Sequence, residues 1–235
     1  MRAFWKLAKA EFKLFTREPL AIFFVLAFPL ILLWLNGSQL GNEVDELVPG
    51  YVALILATVG LTQLPGVLAT YRERGILRRL ATTPVPPARV LGAQLVVHLV
   101  ASTIGVALLL TAAAVLYGLR LPQAIAAAVL VYLAGALALY ALGFVLAALA
   151  PNARTANAIG FVVYFPMIFL CGAVIPREQL AASMRRIGEV LPLAPVVTGL
   201  QDAWSGAGVN LAALAALAAL IAVASAVGIR LFRWE

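Results

Sequence analysis

The chain has 235 residues, of which 64% are hydrophobic and 11% charged, against roughly 25% charged residues in an ordinary soluble domain. A water-soluble fold is excluded, because the charges gather in short blocks and leave six apolar stretches, each near the ~20 helical residues that cross a bilayer core. The formal charge of +7 comes from Lys and Arg flanking those stretches, the pattern of membrane orientation and not of a nucleic-acid surface.

Residues 1–18 predict an amphipathic helix. Arg2, Lys6, Lys9, Lys13 and Arg17 line one face at helical spacing, while Phe4, Ala8, Phe12 and Phe15 line another. Such a helix suits an anionic inner leaflet. Glu11 and Glu18 lie off the basic stripe, either solvated at the membrane edge or turned toward protein. The apolar run that follows ends in Asn36-Gly37-Ser38 without a small-x-small cleavage site, so it is expected to be an uncleaved first span and not a signal peptide.

The spans are expected at about residues 20–35, 48–70, 90–119, 122–149, 156–175 and 209–229, all helical, because lipid offers the backbone no partner and two-residue alternation is absent. With the N-terminus inside, 13 of the 17 Lys and Arg fall on the inner side and 4 on the outer, which puts both termini in the cytoplasm. Between the fifth and sixth spans, Leu180, Met184, Ile187 and Leu191 recur at helical spacing beside Arg185, Arg186 and Glu189. They predict a short interfacial helix on the outer side, opened by Pro176 and closed by Pro192 and Pro195, acting either as a surface loop or as an outer gate.

The chemistry of energy coupling is missing from the chain. None of the ten acidic residues falls in an apolar core, so an ion-relay transporter lacks its usual groups. His98 is the sole ionisable residue within a span, where a hydrogen bond to a neighbouring helix is expected ahead of a proton-handling or substrate role. None of the three lysines follows a glycine, so no phosphate-binding G-x-x-x-x-G-K-[ST] loop exists; metalloprotease and hydrolase motifs are absent too, and no catalytic residue is assigned. The single cysteine, Cys171, permits no intrachain disulfide, and no metal site is expected.

The second cytoplasmic connection is the most informative segment. From Tyr71 to Val85 it sets Ile76, Leu77 and Leu80 at helical spacing among Arg72, Arg74, Arg78 and Arg79, then stops at Pro84, Pro86 and Pro87. This predicts a short basic helix that either docks into a protein groove or only fixes orientation. Arg72, Glu73, Gly75, Leu77, Leu80, Thr83 and Pro84 resemble the coupling-loop pattern of ABC (ATP-binding cassette) type-2 permeases, with Tyr71 and Ile76 departing from it. The whole chain is similar to that family, nearest to the daunorubicin-resistance-type drug permeases: an all-helical membrane domain over residues 1–235, with an elbow helix (1–18), a coupling loop (71–89) and an outer re-entrant region (176–208).

The resemblance implies a bacterial cell-membrane exporter in which two permease chains pair and rest on two separate nucleotide-binding subunits that bind ATP and Mg. This chain then holds no cofactor of its own. Glu11, Arg72 and Glu73 are the implied polar coupling residues, beside Arg74 and Gly75, and Ile76, Leu77 and Leu80 are the apolar insert. The implied substrate route lies at the interface of the two permease chains, lined by the second and fifth spans, where Thr58 and Thr62 share one face, and where Asn157, Phe161, Phe165 and Phe169 recur every four residues. A lining of this kind suits hydrophobic or amphipathic solutes, whereas the same stripe in a span also serves as a lipid-facing or packing surface.

Overall fold

The computed structural model describes residues 13, 18–40, 44–76 and 87–231. Every regular element among them is helical: α1 (Pro19–Ser38), α2 (Val44–Glu73), α3 (Pro87–Tyr117), α4 (Ile125–Leu149), α5 (Ala153–Leu170), α6 (Ala182–Val190), α7 (Ala194–Ser205) and α8 (Leu211–Leu231). Six of these, all but α6 and α7, are long and apolar enough to cross a membrane. Successive spans alternate in direction. One end of the bundle therefore carries Glu73 and the α4–α5 turn, and the other carries Asp45, the α3–α4 loop, α6 and α7.

The core centres on α2, which is almost wholly enclosed by α3, α4, α5 and α7. α3 and α8 keep broad apolar faces outward, with Val115, Leu211 and Ile229 all more than 75% exposed, as lipid-facing surfaces require. Two interruptions shape α1 and α2. Each contains a π turn, Phe23–Ala27 and Thr58–Gln63, and each turn precedes a proline by two residues, Pro29 and Pro65. Phe28 N–H donates to the Phe23 carbonyl and Leu64 N–H to the Val59 carbonyl, one residue further back than in an α-helix. Proline has no N–H, so the carbonyls of Val25 and Leu61 also lose their usual donor.

Glycines on neighbouring helices lie over these carbonyls. A β-carbon on Gly105 of α3 would stand 3.0 Å from the Val25 oxygen. On Gly160 of α5 it would run into the Leu61 oxygen, and on Gly143 of α4 into the Gly60 oxygen. The close approach lets backbone meet backbone, as small residues do between membrane helices.

Several expected boundaries move. The second span is longer than 48–70: α2 runs on through Tyr71, Arg72 and Glu73, and the helix breaks at Arg74 because Gly75 turns left-handed, φ 65°. The basic helix expected from residue 71 thus does not begin there. The fifth span ends at Leu170 and not at 175, because Gly172 adopts φ 82° and turns the chain. The outer helix expected from Pro176 to Leu191 is divided into a 3-10 turn, Arg177–Gln179, and α6. α7 was not anticipated as an element. It starts with Pro195 in its first turn, stops at left-handed Gly206, and buries Val196, Val197 and Leu200 against α4 and α2.

Candidate functional site

At the Glu73 end, Arg72 and Glu73 of the coupling motif reach to the turn between α4 and α5. Arg72 donates through Nη2 to the carbonyl of Ala150, the C-cap of α4, and Glu73 accepts from the backbone N–H of Ala153, the first residue of α5, at 3.2 Å. Asn152 caps α5 by accepting from Thr155 N–H at 2.8 Å, and Ala69, Ala150 and Ala156 close a small apolar cluster beneath the turn. Glu73 and Arg74 are exposed, and Arg72, Gly75 and Ile76 are partly exposed. Glu11, Leu77 and Leu80 lie outside the described residues, as does nearly all of the elbow segment.

Further along the α2–α5 seam, the route residues divide into two groups. Phe161, Phe165 and Phe169 stack in a ladder, with centroids 5.8 Å and 6.5 Å apart and planes 23° and 14° from parallel. Phe165 and Phe169 remain about two-fifths exposed at 42% and 40%. Phe24 of α1 meets Phe161 at 5.9 Å and joins Phe23 and Phe28, extending the aromatic band across two helices. Thr58 and Thr62, by contrast, are buried. Thr62 donates to the Thr58 carbonyl at 2.6 Å; Thr58 donates to the Leu54 carbonyl and lies 2.9 Å from the Tyr164 hydroxyl.

Asn157 is exposed, with its Oδ1 directly over Gly66 of α2. Tyr164 is the residue that sequence reasoning missed: it joins α5 to the π turn of α2 from behind the ladder. Its signal was a hydroxyl-bearing ring three residues after Phe161, a position one helical turn along.

Away from this seam, a buried polar seam links α3 and α4. His98 Nδ1 lies 2.8 Å from the Gln94 carbonyl of its own helix, while Tyr140 donates to the His98 carbonyl and to Ser102 Oγ at 3.1 Å and 2.8 Å. Tyr132 adds contacts to Ser102 and Thr103. At the Asp45 end, Arg177 donates to the carbonyls of Cys171 and Ala194, tying the turn after α5 to the start of α7. That accounts for one of the three arginines in the 176–191 segment. Arg177→Met is expected to cost about 1.5 kcal/mol, the lower end for charged hydrogen bonds because the side chain is half-buried. The check is the thermal unfolding midpoint in detergent; an unchanged midpoint would show that the two bonds contribute nothing net.

A cavity of about 710 Å³ opens at the same end, lined among others by Asp45, Glu46, Arg120, Gln123, Asp202 and Trp204. Asp45 accepts from Arg120 N–H at 3.0 Å, and the Trp204 indole donates to the Arg120 carbonyl at 3.2 Å, so the α3–α4 loop is pinned over α2 and α7. Among the described residues no cluster of His, Cys, Asp and Glu is arranged to hold a metal ion.

Comparison with known proteins agrees with this architecture. The family model of the ABC-2 type transporter matches residues 2–204. Comparison with curated proteins finds no match. A family match over most of the chain, on six membrane-length helices, makes the protein a member of the ABC-2 type transporter family: a multi-pass permease of an ABC transporter, built to work in the bilayer with an ATP-binding subunit.

Proposed function

We propose that this permease pairs with a second permease chain, rests on two ATP-hydrolysing subunits at its Glu73 end, and exports hydrophobic or amphipathic compounds of drug or antibiotic type by alternating access. The observation that carries the reading is the aromatic ladder of Phe161, Phe165 and Phe169, which leaves Phe165 and Phe169 exposed. Stacked rings offer flat apolar solutes a large contact surface with little side-chain entropy to lose, and they offer an inorganic ion or a free sugar little. The ladder stands on α5, whose first residue is held by Glu73 of the motif that resembles a coupling loop. The daunorubicin-resistance type is the subfamily that fits best. ATP and Mg belong to the partner subunit, the membrane is the bacterial inner membrane, and both termini lie in the cytoplasm, in keeping with the Lys and Arg distribution.

The test is ATP hydrolysis by the chain co-expressed with its candidate nucleotide-binding subunit in lipid nanodiscs. Hydrolysis is expected to rise severalfold with a hydrophobic drug, and Leu77→Asp is expected to abolish that rise by placing a charge in the apolar insert. Stimulation by lipid or oligosaccharide alone would move the reading to lipid or polysaccharide export. Failure of any ATPase subunit to associate would leave a non-transporting membrane scaffold.

A further inference from the structure

We infer that Arg72 and Glu73 form an intramolecular link that carries movement of the coupling loop to the first turn of α5, a proposal that rests on the reading of residues 71–89 as that loop. The sequence pointed these two side chains at the ATPase subunit. In the fold they reach across 78 and 80 residues of chain to the α4–α5 turn.

The chemistry of the link is complementary at both points. The last carbonyls of a helix and its first N–H groups have no partners within the helix. The Ala150 carbonyl at the end of α4 receives a cation, and the Ala153 N–H at the start of α5 receives an anion. Each charge therefore also meets the helix-dipole end of opposite sign. Neighbouring residues on a helix diverge by about 100°, which lets adjacent Arg72 and Glu73 straddle a turn of three residues.

The turn is stiff. Pro151 restricts its backbone, and Asn152 locks it onto α5 through Thr155. Beyond the link the constraint ends at Gly75, whose left-handed backbone has nothing within 4 Å of the position a β-carbon would take. A push on the loop can thus bend the chain at Gly75 or act on α2 up to Glu73, and whatever reaches Glu73 is delivered to α5. The Phe161 ladder begins two turns further along that helix.

Two kinds of substitution separate this link from a contact with the ATPase subunit. Glu73→Gln keeps an oxygen acceptor for Ala153 N–H and discards the charge, whereas Glu73→Leu discards both. Arg72→Lys keeps a donor for Ala150 that Arg72→Leu removes. The measurement uses the complex with a cysteine-free ATPase subunit in nanodiscs, and an environment-sensitive bimane on the exposed position Ala158→Cys of α5 in a Cys171→Ala background. The readout is the emission change on trapping with ATP and vanadate.

Glu73→Leu and Arg72→Leu are expected to reduce that change about fivefold or more while the ATPase subunit still co-purifies, and Glu73→Gln and Arg72→Lys to retain most of it. If the leucine variants fold poorly, Glu73→Ala and Arg72→Ala, which remove acceptor and donor without adding apolar bulk, take their place and are expected to lose the change to the same extent. A wild-type amplitude in Glu73→Leu, or a Glu73→Gln variant as damaged as Glu73→Leu, overturns the link and returns the charge to the partner contact. A wild-type complex that shows no emission change, or an ATPase subunit that does not bind it, removes the coupling-loop reading itself and the link with it.

Discussion

Gly143→Val is expected to be among the most damaging single substitutions in the bundle, although it adds apolar volume to an apolar helix. The β-carbon alone would run into the carbonyl oxygen of Gly60. That oxygen belongs to the π turn of α2, where Leu64 N–H reaches past it to Val59. The obstruction is main chain, so no rotamer change relieves it, and α4 must withdraw from the most enclosed helix of the fold. Overpacking a tight core commonly costs about 1–3 kcal/mol, and a backbone obstacle belongs at or above the upper limit. For a chain of this size that is a fall of roughly 6–12 °C in the unfolding midpoint. Gly228→Val serves as the control, since a β-carbon there meets only ordinary contact, 3.8 Å from Val145. Equal midpoints for the two variants would show that the α2–α4 contact yields more readily than its geometry states.

Phe165→Asp addresses the other face of the structure. Phe165 stands on the outer surface of α5 between Phe161 and Phe169, 42% exposed in the single chain. In the proposed assembly that surface meets a second permease chain, and a carboxylate there is desolvated by protein. Removing an aromatic anchor from the centre of an interface costs about 2 kcal/mol or more, equivalent to a weakening of permease pairing by roughly thirtyfold. Native mass spectrometry or light scattering in detergent is expected to show monomer for Phe165→Asp and retained dimer for Phe165→Leu. A dimer that survives Phe165→Asp would assign the ladder to lipid and require a different face for pairing.

Hydropathy made the spans legible because lipid imposes one simple demand on length and polarity. It failed where the chain is governed by single residues. Gly172 ends α5 five residues before the apolar run does, and α2 runs on to Glu73, past the point where charge returns. α7 escaped notice because Pro192 and Pro195 read as terminators of α6. Yet Pro195 in a first turn and Gly206 just past the last are the marks of a helix beginning and ending, and they were available in the sequence.

The ladder of Phe161, Phe165 and Phe169 was readable from its four-residue spacing. The enclosure of Thr58 and Thr62 was not, because a π turn shifts the phase of the helix at the positions where their face was inferred. Nor was the reach of Arg72 and Glu73 to the α4–α5 turn. Their partners are main-chain groups of the distant Ala150 and Ala153, which leave no imprint on side-chain pattern.

The π turns of α1 and α2 also bear on how the two ends of one helix keep their own contacts. A π turn holds one residue more than the α-helix it interrupts, an offset of about 100° absorbed within a single turn. The two halves of α2 are thereby set in register independently: the half bearing Asp45 with the loop at its end, the half bearing Glu73 with the α4–α5 turn. Thr58–Gln63 acts as a splice in the helix: it holds the one residue by which the two halves differ in phase, so that each end keeps its own contacts.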